Sequence, residues 1–444
     1  MNRMPALPMT LPAALADTHG LDPAAGGWAF TPRHAVATPD GDTYVVSTLW
    51  RAGHATGHPA DPAHCPLNYR SITRYAPDGT PVATAVSGGP RPDGTPSAII
   101  PDGDGDTLAV LPDGTVALAL CPGITHLFSA DLSRVVGTFP MPWGFEEEKA
   151  RAGDPFAASI TVTPSGRLLC TTSEYGLKWA GATLNIVAVS EPGTALAPGS
   201  KPTLRAIASL HANTDRQTGA DQHPHVVFGD APVCRDNRPS PTLTDLLSDL
   251  SGITRSPYAY GYEDCKMTRP SALGDDLFVV PVFGRAYRST DRGQEFSFAL
   301  LDDQGTLRGR LEGLHRYDDS PFTGLAFTVT ADPHRGHAFH LNRYGLYAWT
   351  ADGRLRSRIS TAVKPYTALK NFELLECTPA GEVLLLHRKQ RLLLRVPVPQ
   401  DLDALPAAVE AALKGYGSGR LALKKQYAPV DWCWLDTTGR VFHH

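Results

Sequence analysis

The sequence predicts an all-β fold, a β-propeller of four-stranded antiparallel blades with loop and short-helix insertions, on three grounds. One short pattern recurs along the chain: alternating apolar residues, a two-residue turn of the Asp-Gly type, then another alternating run. It appears as His34–Ser47 around Asp40-Gly41, as Leu108–Leu120 around Asp113-Gly114 and as Ile160–Cys170 around Ser165-Gly166. It returns as Leu374–Leu386 around Ala380-Gly381 and as Trp434–Phe442 around Thr438-Gly439. Such turns admit positive φ and join antiparallel strands, and self-similarity at a long period marks a repeat architecture. The second ground is composition. With 41 Gly and 39 Pro among 444 residues and only 19% charged residues, the chain suits many short strands better than long helices. The third is that two kinds of hairpin alternate, one apolar and one more polar on one face, and such a pair makes the four-stranded meander of a propeller blade.

In order along the chain, residues 1–27 are rich in Pro, Ala and Gly and read as an N-terminal arm, and residues 28–444 as one propeller domain. Apolar inner hairpins centre near residues 40, 113, 165, 274, 334, 380 and 438, and outer hairpins near 78, 131, 192, 303 and 352. Seven inner hairpins predict seven blades of about 63 residues each, against roughly 40–50 in common propeller repeats. The surplus falls in insertions near 51–70, 211–270 and 400–420. If the last hairpin belongs to the sixth blade, the count is six. The seventh inner hairpin has no outer hairpin after it, so the N-terminal segment is expected to supply an outer strand and remove an open edge. In the last insertion, Asp401 as a cap, apolar spacing to Lys414 and Gly415 as a stop predict a short helix that interrupts the sixth outer hairpin. A sandwich array would show a linker about every 100 residues, and none is visible. The repeated pattern resembles the propellers of the NHL and gluconolactonase-like superfamilies, whereas no Trp-Asp dipeptide stands at blade ends as in WD repeats.

Net charge is −4, which argues against a general affinity for nucleic acid or anionic lipid. No run of about 18 apolar residues is present to span a membrane. Prolines at positions 5, 8 and 12 interrupt any signal-peptide core. The seven cysteines (65, 121, 170, 234, 265, 377 and 433) include no Cys-x-x-Cys pair and read as free thiols of a reducing, cytoplasmic compartment. The Ala/Arg/Pro/Gly-rich usage resembles that of a GC-rich bacterium.

In a blade meander the hairpin turns lie on one face, and the inner-to-outer and blade-to-blade connections lie on the other. Functional loops gather where scaffold strands converge. The residues that follow the inner hairpins are Arg51, Cys121, Glu174-Tyr175, Arg285, Asn342-Arg343, His387-Arg388 and His443. Arg51, Arg285, Arg343 and Arg388 from four blades are suited to hold a carboxylate, a phosphate or an acidic peptide. The insertion 211–270 ends in an aromatic run, Tyr258, Tyr260 and Tyr262, of the kind favoured at recognition surfaces.

Two His-rich stretches, His54–Cys65 and His211 with His223 and His225, contain zinc-type ligands, but Gly57 and Pro59 break the helix that would align the first of them. The resemblance to gluconolactonase-like propellers implies a divalent cation at the axis, held by oxygen ligands. Glu174, Asn342 and Asp264 are the matching positions, and Ca²⁺ or Mg²⁺ the fitting ion. No Gly-x-Ser-x-Gly elbow, Walker loop or dinucleotide fingerprint is present. The expectation is therefore a non-catalytic binding or scaffold propeller that takes a protein, a peptide or a small acidic ligand on its top face and needs no cofactor. The alternatives are a divalent-metal-dependent hydrolase or lyase, and a structural subunit of a bacterial assembly.

Overall fold

The computed structural model describes residues 6–8, 28–51, 69–88, 107–120, 124–140, 156–174, 183–193, 203–211, 225–228, 262–286, 294–313, 316–317, 328–387, 391–419, 431–435 and 441–443. The fold is all-β, of the propeller type, and six antiparallel blades are formed among these residues. Strand β1 is Ala6–Pro8. Blade I has β2 (Trp28–Ala37), β3 (Thr43–Arg51), β4 (Tyr69–Tyr75) and β5 (Pro81–Gly88). Blade II has β6 (Thr107–Val110), β7 (Val116–Leu120), β8 (Ile124–Phe128) and β9 (Val135–Pro140). Blade III has β10 (Phe156–Val162), β11 (Leu168–Glu174), β12 (Thr183–Ser190) and β13 (Leu204–His211), with β14 (His225–Phe228) added outside. Blade IV has β15 (Tyr262–Met267), β16 (Ser271–Ala272), β17 (Leu277–Ala286), β18 (Gln294–Asp302), β19 (Leu307–Arg310) and β20 (Arg316–Tyr317). Blade V has β21 (Val329–Asp332), β22 (His337–Asn342), β23 (Gly345–Thr350) and β24 (Leu355–Ser360). Blade VI has β25 (Glu373–Cys377), β26 (Glu382–His387) and β27 (Leu392–Pro397), with β1 as its fourth strand. Helix α1 is Leu405–Gly419, and β28 (Asp431–Leu435) and β29 (Val441–His443) follow.

Among the described residues six blades, the smaller expected count, are therefore formed in place of seven. The final inner hairpin forms β28 and β29, and β28 adds in parallel to β5 at the edge of blade I. An isolated two-stranded hairpin has too little face to bury, so it joins an existing sheet. The N-terminal strand completes blade VI, pairing Ala6 with Leu394 and Pro8 with Leu392. The helical insertion follows β27 directly and interrupts no hairpin, because the fourth strand comes from the start of the chain. The Asp401 carboxylate accepts from the Asp403 N–H at 3.0 Å, as a cap should. Gly415 does not end the helix. Burial of Leu405, Val409, Ala412 and Leu413 outweighs the roughly 1 kcal/mol that a glycine costs within a helix.

The turns differ from expectation in one respect. At Thr38–Asp42 the Gly41 N–H donates to Thr38 O at 3.0 Å and the Thr38 N–H to Asp42 O at 2.9 Å, which encloses three loop residues, not two. The same two bonds recur around Gly79, Gly114, Gly166, Gly305, Gly353 and Gly381. This is a type I turn followed by a left-handed glycine, with Gly41 at φ 97° and Gly114 at φ 87°. Proline, locked near φ −65°, fits the first central position of a type I turn and is excluded from the positive-φ positions of a two-residue primed turn. Aspartate ahead of the glycine reinforces the loop: Asp113 Oδ1 accepts from the Thr115 N–H at 2.9 Å.

By its internal contacts the chain divides into two compact units. In the unit of residues 159–195 and 202–360, the core lies between successive blades. Residues 278–282 of strand β17 are buried on both faces, and they alternate. Phe278, Val280 and Val282 pack with Leu169, Val187 and Ile207 of blade III, while Val279 packs with Tyr347 and Trp349 of blade V. Period-two alternation is how one strand serves two neighbours. Arg167 latches the turns of blades III and IV. It is only 4% exposed, and it donates to Ser190 O (2.9 Å), Asp275 O (3.0 Å) and Asp276 Oδ1 (3.0 Å). Asp303 stands 3.4 Å from Arg167 and 3.5 Å from Arg205. Blades IV and V are joined by Glu312 N–H to Gly353 O at 2.9 Å and by the Trp349 indole N–H to Glu312 O at 2.7 Å.

The other unit holds blades I, II and VI. Val36, Tyr44, Val46 and Ile72 of blade I pack against Leu108, Leu118 and Phe128 of blade II. Here too arginines tie the turns together. Arg395, buried in blade VI, donates to Gly41 O at 3.2 Å and to the Thr43 hydroxyl, and Arg74 holds Asp42 at 2.5 Å. Cys170 and Cys377 are buried free thiols, and burial pushes Cys170 up to about 12, so it is inert. No helix among the described residues is long and apolar enough to cross a membrane.

Candidate functional site

The described part of the expected site centres on the turn between β22 and β23 in blade V. Asn342 pairs with Gly345, so Arg343 and Tyr344 form a two-residue tip. The Asn342 Oδ1 accepts from the Tyr344 N–H at 2.8 Å and the Gly345 N–H at 3.0 Å, which pins the turn through its own side chain. Gly345 is required by close approach, since a Cβ there would lie 2.6 Å from Ile359 O. Arg343 and Tyr344 are both exposed, and the Arg343 guanidinium lies 4.6 Å from the centre of the Tyr344 ring and donates to its hydroxyl. The cation is thus held in one orientation at a surface tip.

The other expected residues fall as follows. His387, at the end of β26, is buried and meets Phe372 edge-on at 5.3 Å. Arg51, Glu174 and Arg285 lie at or next to the ends of β3, β11 and β17, where the sequence placed them. Asp264 in β15 is the register partner of Arg285, and Tyr262 pairs with Ala286. His443 ends β29 and pairs with Cys433. Tyr175, Arg388, Tyr258 and Tyr260 lie outside the described residues, as do the His54–Cys65 stretch and His223. Among the described residues, no group of three or more His, Cys, Asp or Glu side chains is placed to hold a metal ion.

Two features were missed by reading only the ends of inner hairpins. The first is an arginine row on the outermost strands. Arg354, Arg356 and Arg358 of blade V are exposed, as is Arg308 of blade IV. Arg358 lies 5.5 Å from the centre of the Tyr347 ring, and Tyr347 stacks on Trp349 at 6.0 Å and 17°. The alternation Arg354-Leu-Arg-Ser-Arg358 was visible in the sequence, and a strand with one exposed face explains it.

The second is a set of buried histidines. The His34 Nδ1 accepts from the Leu108 N–H at 3.1 Å, and its Nε2 is 3.9 Å from Glu376, which links the first strands of blades VI, I and II. His340 is fully buried against Phe298, with Nδ1 2.8 Å from Thr328 O, and burial lowers its pKa to about 4. An unfolded histidine titrates near 6.5, so between that value and about 4 only the unfolded chain binds the proton. Stability is therefore full above pH 6.5 and falls as the pH drops toward 4. His340 is expected to remove about 2 kcal/mol between pH 7 and pH 5. Urea unfolding of His340→Gln at the two pH values should show a smaller loss than the parent; an equal loss would contradict the assignment.

No family profile matches the sequence, and no curated protein matches it. Among the solved structures similar to it are β-propellers of the WD40 and gluconolactonase kinds. The WD40 propeller domain of Doa1 is 11% identical, with 83% of this chain and 94% of that one covered at a TM-score of 0.35. The WD40 domain of Neurospora crassa Pan2 is 11% identical, with 89% and 94% covered at 0.35. XC5397 of Xanthomonas campestris, described as a gluconolactonase, is 12% identical, with 90% and 99% covered at 0.35.

Proposed function

We propose that the protein is a binding propeller that captures an acidic ligand, a protein segment rich in Asp and Glu, at the blade ends on the face opposite the hairpin turns. The observation that supports this reading is the Arg343–Tyr344 tip. It presents an exposed guanidinium that is already oriented by a ring and by a turn which its neighbour's amide pins. Pre-orientation reduces the side-chain entropy lost on binding. The Asn342 Oδ1 spends both lone pairs on backbone N–H groups, which suits it to a turn better than to a cation.

The test is fluorescence anisotropy with a labelled hexaglutamate peptide. Arg343→Glu is expected to weaken binding about tenfold, and added salt should weaken the parent's binding in the same direction. Both residues of the tip are exposed, so the fold should be unaffected. Unchanged affinity in Arg343→Glu would remove the reading.

A further inference from the structure

We propose that His34 is a proton-operated latch in the unit that holds blades I, II and VI: when neutral, its ring ties the first strand of blade I to that of blade II, and when protonated it releases blade II and pairs with Glu376 of blade VI. The device belongs to the fold and stands apart from the acidic-ligand site above.

Two irregularities in the backbone bring the side chains together. Strands β2, β6 and β25 are the first strands of their blades. Strand β2 carries an extra residue, Arg33, between the pairs Pro32–Ser47 and His34–Val46. Strand β25 likewise carries Leu375 between the pairs Leu374–Leu385 and Glu376–Leu384. An extra residue of this kind kinks the strand and re-aims a side chain. His34 and Glu376 are the residues that follow, and they meet, Nε2 to Oε2, at 3.9 Å. His34 is 4% exposed and Glu376 14%. The carboxylate is anchored by its other oxygen, since Oε1 accepts from the Cys377 N–H at 3.2 Å.

The two neighbours of the ring favour opposite charge states. A backbone N–H can only donate, so the bond from the Leu108 N–H to His34 Nδ1 at 3.1 Å requires a lone pair on Nδ1. The ring in this bond is neutral, with its proton on Nε2, the nitrogen that faces Glu376. A second proton, on Nδ1, opposes the Leu108 N–H, whereas the imidazolium it creates is drawn to the carboxylate. The 3.9 Å between Nε2 and Oε2 exceeds a charge-assisted hydrogen bond of about 2.8 Å, so the ring has about 1 Å to travel when it changes partner.

Strand β2 packs against β3, β6, β25 and β26. Strand β6 carries no ionisable residue. On β3, Tyr44 is paired with Val36 and its hydroxyl donates to Ala130 O, while Arg51 is paired with Trp28 at the far end. On β25, Glu373 is paired with Leu386 on the other side of the bulge, and Cys377 adjoins Glu376. On β26, Glu382 and His387 stand at the two ends, paired with Pro397 and Leu392. Arg33 is the bulged residue beside His34 on its own strand. Of these groups Glu376 reaches the ring.

The probe is the proton, read by NMR and hydrogen exchange on the full chain. With nitrogen-15 histidine at neutral pH, His34 Nδ1 should resonate as an unprotonated acceptor nitrogen; a protonated Nδ1 would overturn the latch. Between pH 7 and pH 5, the protection of the Leu108 amide relative to its intrinsic exchange rate should fall about tenfold. His34→Asn keeps an acceptor oxygen in the place of Nδ1 and does not titrate, so its Leu108 protection should change by less than about threefold over that range. Any loss caused by His340 is present in both proteins and cancels. Glu376→Gln should keep Leu108 protected to lower pH than the parent, because a neutral amide attracts the imidazolium less. A thermal midpoint equal to the parent's at neutral pH would show His34→Asn folded; if it falls, Glu376→Gln carries the comparison. The same loss of Leu108 protection with pH in the parent and in the folded variant would overturn the proposal.

Discussion

Replacing Gly353 by alanine is expected to lower stability by about 4 kcal/mol. Gly353 sits at φ 84°, where an L side chain costs about 1–2 kcal/mol. A Cβ there would also lie 2.2 Å from Arg310 O, a contact that real structures do not tolerate. The obstacle is backbone, so it cannot rotate away, and the strand carrying Arg310 must shift. That shift strains the Glu312 N–H to Gly353 O bond and the indole bond of Trp349 beside it. Overpacking of this kind adds about 1–3 kcal/mol. Gly193 provides the comparison. It has φ 74°, and nothing lies within 4 Å of its added Cβ. Gly193→Ala should therefore lose only the backbone contribution, about 1–2 kcal/mol. Urea midpoints of the two variants at unchanged slope test the difference. Equal losses would mean that blades IV and V do not meet as closely as described.

Arg167→Ala is expected to cost about 3 kcal/mol. The guanidinium reaches two backbone carbonyls and two carboxylates from a nearly sealed position. Its removal leaves the Ser190 and Asp275 carbonyls without that donor and opens a cavity where the side-chain stem lay. The carboxylates suffer less. Asp276 is 77% exposed, and Asp303 keeps Arg205 at 3.5 Å, which is why the estimate stays at the lower end for a broken buried ion pair, about 3–5 kcal/mol. Arg167→Lys should recover less than half of the loss, since one ammonium cannot reach three directions that a planar fork spans. A loss below about 1 kcal/mol in Arg167→Ala would show that the latch is replaced by water.

These two sites differ in how far the sequence revealed them. Gly353 follows Asp352 in a turn that the repeat marks plainly, so its left-handed conformation was legible. The approach of Arg310 was not, because it comes from the blade before and depends on packing. Arg167 reads as the ordinary polar residue after a Ser-Gly turn, and nothing local distinguishes it from an exposed arginine. Of the candidate site, Asn342 and Arg343 were found because strand ends are legible. The row Arg354, Arg356 and Arg358 was passed over because it lies along a strand and not at its end.

The repeat by itself determined that the chain is all-β, where most hairpins turn and that they pair into four-stranded blades, since alternation and turn chemistry act over a few residues. It also marked Asp401, the cap of the 3-10 turn Leu402–Ala404 that leads into α1. The missing last outer hairpin already implied an outer strand from the N-terminal segment; only the tertiary structure decided that this strand completes blade VI, that the last hairpin adds to blade I and that α1 runs past Gly415. Each of these is settled by which distant surface buries the segment, and burial against a distant partner leaves no local mark.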